Sequence, residues 1–251
     1  MRFWVFLMGL LFTQASTAQT FDHNHRGFAE FLGNFVSDSG VDYAALASRK
    51  PALEAYVLQL ATVTTQDFNR DQQIAFWVNA YNALTVKLIL DEKQPKSIME
   101  LDGGKVWDTR KYNIAGKLRT LNDIEHKMAR PLTDGRVHAV LNCASKGCPP
   151  LLATPLVGEN IESQLNKAAT RWVKLNAFTR TENSVAVNQI FQWFADDFAK
   201  WQTPSIQGLE PKETAALRFI GAFGPAGLAE ELATEGITVS YAKYDWSLNQ
   251  K

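Results

Sequence analysis

A helix-rich α+β domain is what the sequence predicts, and three observations carry that prediction. Residues 71–90 place apolar side chains, from Ile74 through Val78 to Leu84, Val86 and Ile89, around the whole helical circumference, the pattern of a helix buried on every side. Several other stretches repeat apolar residues at helical spacing, whereas only short segments alternate as strands do. Hydrophobic residues make up 46% of the chain and aromatic ones 11%, enough for the core of one domain of about 230 residues.

The elements follow in order. Phe28 to Val36 and Tyr43 to Leu60 carry helical periodicity, the second interrupted by Pro51, whose fixed φ starts a new turn. Asp71 to Leu90 is the central helix. Lys111 to Thr120 reads as a hairpin turning at Ala115-Gly116. Thr120 and Asp123 resemble a capping box, which starts a helix at Leu121 with Leu121, Ile124 and Met128 on its buried face. Residues 136–151 read as strand, tight loop at Asn142 to Ser145, then extended chain forced by Pro149-Pro150. Helices are expected at Ile161–Leu175, Gln189–Trp201, Lys212–Ala222 and Gly227–Thr234, with strands at Ser184–Val187 and Ile237–Tyr241 forming a small sheet. The aromatic end, Tyr244-Asp245-Trp246-Ser247-Leu248-Asn249, should dock on the domain.

Ahead of all this, Met1-Arg2, an apolar stretch from Phe3 to Phe12, and Ser16-Thr17-Ala18 before Gln19 have the form of a secretory signal peptide. Cleavage is expected near Ala18, leaving one domain over 19–251 in the periplasm or secreted. The stretch is short of the about 20 apolar residues that span a bilayer, and no later segment is long and charge-free enough. Twenty-six basic residues balance 26 acidic ones, and loss of Arg2 leaves one net negative charge. A nucleic-acid partner calls for a basic surface that this composition does not offer; a small molecule or peptide is the expected kind of ligand. No cofactor is named by any motif.

Both cysteines and one of four histidines fall in residues 136–151. The spacing His138-x4-Cys143-x4-Cys148 fits a short disulfide, a thiol nucleophile with a nearby base, or part of a metal site. Export favours pairing of close cysteines, and so small a loop would contribute only about 2 kcal/mol, fixing a turn more than the fold. His138 and Cys143 lie on opposite sides of any strand, so a direct pair requires a bend, which a turn at Asn142 to Ser145 provides; His126 or His23 are the alternative bases. A thiol in a nest of backbone N–H groups would also be unusually acidic.

Other candidates surround this segment. Glu125 falls on the flank of a buried face, where a carboxylate either meets Arg130 or Arg136 or has its pKa raised into the range of a general acid or base; His126 and Arg130 share the next face. Asn79 and Asn82 form a polar stripe on the central helix, suited to hold a substrate carbonyl, orient an imidazole or tie a neighbouring backbone. Tyr81 is a candidate substrate contact beside them, although with Trp77 it reads more simply as core. Asp245 could orient a histidine or cap a turn. Asp22-His23-Asn24-His25 is a metal-capable His-x-His or a mobile tail, and in Phe191–Phe198 the rings face inward with Asp196 and Asp197 solvated.

Taken together, Phe21-Asp-His23, Ala75-Phe-Trp-Val-Asn-Ala-Tyr-Asn82, Leu121-Asn-Asp-Ile-Glu-His126, His138-Ala-Val-Leu-Asn-Cys-Ala-Ser-Lys-Gly-Cys-Pro149, Ile190-Phe-Gln-Trp-Phe with Asp197-Phe198, and Tyr244-Asp-Trp-Ser-Leu-Asn249 resemble the domain-of-unknown-function 547 family. The resemblance implies exported bacterial relatives and intracellular plant and animal ones, and no particular activity. Intracellular members that keep both cysteines would weigh against a purely structural disulfide.

Two functions of different class are therefore expected. One is a thiol- or His/carboxylate-dependent hydrolase or acyltransferase on an amide or ester, with Cys143 as nucleophile, His138 as base, Glu125 or Asp245 orienting it, His126 nearby, and Asn79, Asn82 and Tyr81 contacting substrate. The other is a non-catalytic ligand- or peptide-binding module stapled by a Cys143–Cys148 disulfide. A zinc ion held by Cys143, Cys148 and a histidine is a further alternative.

Overall fold

Asn69 starts the element around which everything else is arranged. Its side chain accepts from the Gln72 backbone N–H while Gln72 Oε1 accepts from the Asn69 N–H, a reciprocal cap that opens a helix running from Arg70 to Asp91. In the computed structural model, which describes residues 21–251, every residue from Ile74 to Val86 is buried. The expected signal peptide over 1–18 lies outside the described residues.

Chain order runs α1 (Arg26–Leu32), β1 (Val36–Ser37), β2 (Gly40–Val41), α2 (Tyr43–Ala47), α3 (Lys50–Thr62), α4 (Arg70–Asp91), α5 (Val106–Thr109), β3 (Tyr112–Ile114) and β4 (Lys117–Arg119). It continues through α6 (Ile161–Leu175), β5 (Phe178–Arg180), β6 (Ser184–Val187), α7 (Ile190–Trp193), α8 (Pro211–Phe223), α9 (Leu228–Leu232) and β7 (Thr238–Tyr241). The fold is helix-rich α+β, as expected: α4 is packed by α2, α3 and α6, and the sheets are small. β1–β2 and β3–β4 are antiparallel hairpins; in the third sheet β6 pairs antiparallel with β5 and parallel with β7, with Val185 opposite Val239. Ala115 and Gly116 both take positive φ at the β3–β4 turn, the conformation a two-residue hairpin requires. Among the described residues no helix is long and apolar enough to cross a membrane.

Where structure and expectation differ, local chemistry explains why. The first helix stops at Leu32 because Gly33 takes φ 49° with ψ −134°, a conformation outside the helix that glycine adopts without steric cost. The break in the second falls at Ser48-Arg49, which leaves Pro51 in the first turn of α3, where its missing N–H costs nothing. Gln189–Trp201 is α7 followed, across Phe194, by a 3₁₀ segment at Ala195–Trp201. The strand expected before Cys143 is instead a 3₁₀ turn at Gly135–Ala139, capped by the Asp134 carboxylate accepting from the Arg136 N–H. Glycine is needed at 135, since a Cβ there would lie 2.4 Å from the Phe198 ring. Residues 22–25 are not a loose tail: His25 is 1% exposed and its Nδ1 lies 2.7 Å from the Tyr56 hydroxyl.

The helix begun at Leu121 carries the reciprocal Thr120–Asp123 cap, and from Asp123 to Ala129 it winds as a π-helix. This wider turn advances less per residue, so Ala129, rather than the expected Met128, completes the buried stripe with Leu121 and Ile124, and Glu125 is buried beside them.

Candidate active site

The loop that carries both cysteines is held by buried amides. Asn142 donates to the Pro149 carbonyl and accepts from the Ala144 N–H and from Asn249 Nδ2, whose own carbonyl accepts from the Tyr43 hydroxyl. Asn82 closes the network from α4, accepting from the Asn142 N–H at 2.9 Å and donating to the Val140 carbonyl at 2.8 Å. Asn79 grips the Leu156 N–H and carbonyl in the same two-handed way. Both helix asparagines are therefore engaged with backbone and stand outside the pocket described below; they position the loop, and the expectation that they donate to substrate is corrected. The network holds Ala144 at φ 62°, a conformation that costs a non-glycine residue about 1 kcal/mol. This is the bend expected at Asn142 to Ser145. Gly147 allows the C-terminal segment to close over the loop, because a Cβ there would meet the Tyr244 ring at 2.9 Å.

That bend surrounds one thiol with partners. Cys143 Sγ lies 2.8 Å from Cys148 Sγ, 3.0 Å from Ser145 Oγ and 3.2 Å from the Tyr244 hydroxyl. The sulfurs are two free thiols, farther apart than the about 2.05 Å of a disulfide bond. Burial pushes Cys143 toward the neutral thiol, but hydrogen bonds from Cys148, Ser145 and Tyr244 outweigh it and bring the pKa down to about 6. Cys148 moves the opposite way: burial and the neighbouring Cys143 charge hold its proton on. The pair shares one negative charge, and it resides on Cys143.

Cys143 lines a pocket of about 170 Å³ with Glu125, His126, His138 and Tyr81, so most of the candidates meet in one place. Asp245 does not reach it; its carboxylate accepts from the Ser247 N–H and hydroxyl, capping a turn. His23 packs against Phe68, away from the thiol. Among the described residues no cluster of three or more His, Cys, Asp or Glu could hold a metal ion, so the zinc alternative lacks a third ligand.

The histidine's partner was missed in the sequence. His138 Nε2 donates to Asp197 Oδ2 at 2.7 Å, and the ring stacks on Phe194 with centroids 4.3 Å apart. Donation through Nε2 leaves Nδ1 as the basic nitrogen, without a protein partner among the described residues. Burial lowers the His138 pKa, and the Asp197 carboxylate opposes this. Asp197 is itself held ionised, at a pKa of about 2: burial raises it, but bonds from His138 and from Arg130 Nε at 2.6 Å prevail. Arg130 also donates to His126 Nδ1 at 2.7 Å and lies over Phe194, and partial desolvation together with that guanidinium lowers the pKa of this otherwise exposed histidine. Asp197 had a sequence signal: Ile190, Phe194 and Asp197 follow i, i+4, i+7 spacing, which puts the carboxylate on the apolar stripe and not in water.

Glu125 completes the chemistry. Burial raises its pKa to about 7, the Tyr81 hydroxyl pulling it down and the Cys143 charge pushing it up. At neutral pH the pocket thus presents a sulfur that readily loses its proton beside a carboxyl that readily keeps one. Tyr244, Trp193 and Trp246, also missed as site residues, form its aromatic wall.

The fold and site define a helix-rich α+β protein with an acidic thiol in an aromatic pocket. Residues 65–173 match the model of the family described as "Protein of unknown function, DUF547", and the resemblance drawn from the motifs holds over that segment. It contains α4, Glu125, His138 and both cysteines; Trp193, Asp197 and Tyr244 lie outside it. No curated protein and no solved structure matches the chain.

Proposed function

We propose that this pocket is the active site of a thiol-dependent hydrolase or acyltransferase acting on an amide or ester, with Cys143 as nucleophile. One observation carries the proposal: the most acidic thiol of the chain lines the same pocket as a histidine whose tautomer is set by an ionised aspartate. Asp197 takes the orienting role expected of Glu125 or Asp245, which frees Glu125 to act as an acid.

The Cys143 thiolate attacks the substrate carbonyl carbon, forming a carbon–sulfur bond as the carbonyl electron pair moves to oxygen. Collapse of this adduct expels the alcohol or amine, which takes the Glu125 proton. Water, or an acceptor alcohol or amine, then gives a proton to His138 Nδ1 and attacks the thioester; the carbon–sulfur bond breaks and the thiolate returns. The His138 proton passes through solvent back to Glu125, closing the cycle. The Tyr244 hydroxyl, released from Cys143 as the sulfur gives up its charge in the attack, can turn to the oxyanion, while the Tyr81 hydroxyl stays on Glu125. The signature over residues 1–18 supports work after export, in the periplasm or outside the cell.

The test is acylation by an activated ester. With p-nitrophenyl acetate the protein should give a burst of nitrophenolate and an acetyl group mapped by peptide mass to Cys143. A free Cys143 that takes no acetyl group would overturn the proposal and favour the non-catalytic binding module.

A further inference from the structure

The pocket wall is built for more than excluding water. Trp193, Tyr244 and Trp246 stand together beside Cys143, with ring centroids 4.8 Å apart for Trp193–Tyr244, 4.5 Å for Tyr244–Trp246 and 5.7 Å for Trp193–Trp246. Trp107 meets Trp246 edge-on at 6.0 Å. Trp193 is 46% exposed, although the rings of neighbouring Phe191 and Phe198 are fully buried. An open tryptophan forfeits the burial its size offers, so this ring is held at the pocket by its neighbours and not by the core.

The charges narrow what the wall can hold. No lysine or arginine lines the pocket, and its ionisable side chains are Glu125, the two cysteines, two tyrosines and two neutral-leaning histidines. Arg130, which contacts the pocket residues His126 and Phe194, is already engaged by them and by Asp197. A carboxylate or phosphate group entering here would lose its hydration and meet a thiolate with no cation to replace the water. A cation would meet a wall of electron-rich indole and phenol rings, one of them open to solvent, and the thiolate beside it.

We propose that the aromatic wall is a recognition site for a small alkylammonium group, so that the substrate is an ester or amide carrying a quaternary or protonated ammonium head. This rests on the pocket being the active site: the head sits against Trp193, Tyr244 and Trp246 and leads the adjoining carbonyl to Cys143. A space of about 170 Å³ suits a small head on a short chain.

The experiment compares choline with 3,3-dimethylbutan-1-ol, which has the same shape without the charge, by calorimetric titration of the unmodified protein at pH 7. Choline should bind about tenfold or more tighter than the neutral alcohol, in line with a desolvated cation–π contact. Trp193→Ala should weaken choline binding about fivefold or more with an unchanged melting temperature. Equal binding of the two probes, no binding of choline, or indifference to Trp193→Ala would each overturn the proposal. Because neither probe has an acyl group, failure here leaves Cys143 acylation standing, and failure of acylation leaves the ammonium site standing.

Discussion

The N-terminal cluster around His25 and the pocket around Cys143 are made of the same materials and do different things. Each buries a histidine among aromatic rings: His25 between Phe21 and Tyr56, with centroids at 5.2 and 6.1 Å, and His138 on Phe194 at 4.3 Å. In the first the histidine's side-chain hydrogen bond is to a neutral hydroxyl, its Nε2 is buried without a partner, and burial, helped by His23 and opposed by Asp22, drives its pKa to about 4. In the second the histidine meets an ionised carboxylate and shares an open pocket with a carboxyl group and an acidic thiol. Aromatic burial of a histidine is thus packing; a fixed charge, a chosen tautomer and a space for a ligand distinguish a site.

The largest expected effect falls on one side only of this comparison. Cys143→Ser should lower the rate of iodoacetamide alkylation of the native protein at pH 7 about 100-fold or more, whereas His25→Phe should leave that rate unchanged; intact mass over time reads both. Equal losses in the two variants would mean that the regions are not separable.

The two regions should also respond to pH with opposite sign. Glu125 holds its proton more tightly folded, at about 7, than the ordinary 4.5, so its contribution is full below pH 4.5 and is lost as pH rises to 7, about 3 kcal/mol at most. His25 holds its proton less tightly folded, so its contribution is full above pH 6.5 and is lost as pH falls to about 4, again about 3 kcal/mol at most. Between about pH 4.5 and 6.5 the two slopes oppose each other and largely cancel in the unmodified protein, so urea unfolding across pH 4–8 should show stability rising with pH in Glu125→Gln, where the His25 contribution is left, and falling with pH in His25→Phe, where the Glu125 contribution is left. If neither slope changes, the burial argument fails in both places.

Much of this was written locally. The all-round apolar pattern of α4, the Thr120–Asp123 cap, the Ala115-Gly116 turn and the span of α6 each depend on neighbours within a few residues, and each is where the sequence puts it. What the sequence concealed depends on contacts between distant segments. The apolar run Val137–Leu141 reads equally as strand or tight helix, and only the Asp134 cap and the Phe198 contact at Gly135 decide it. Cys143 and Tyr244 are 101 residues apart, and His138 and Asp197 are 59 apart, so no spacing rule links either pair. Asn82 was legible as a buried amide that needs partners; that its partner is the cysteine loop was not.

That loop supplies a smaller, combined effect. Asn82→Ala should cost about 2 kcal/mol, since it leaves the Asn142 N–H without its acceptor, and should slow Cys143 alkylation as the bend relaxes; the equivalent loss at the N-terminal cluster, Tyr56→Phe, should cost stability without touching the thiol. Smaller again, Tyr244→Phe removes one of three groups that favour the thiolate and should raise the Cys143 pKa by about one unit, worth about 1.4 kcal/mol, with little change in melting temperature.

The central claim is that the Cys143 loop makes an acidic, free thiol, and the pH dependence of its alkylation measures that directly. Iodoacetamide labelling of the native protein from pH 4 to pH 10, with the site mapped by peptide mass, should give a single label on Cys143 with a midpoint near 6. A midpoint at the about 8.5 of an ordinary thiol, or a Cys143 that takes no label at any pH, would contradict the account.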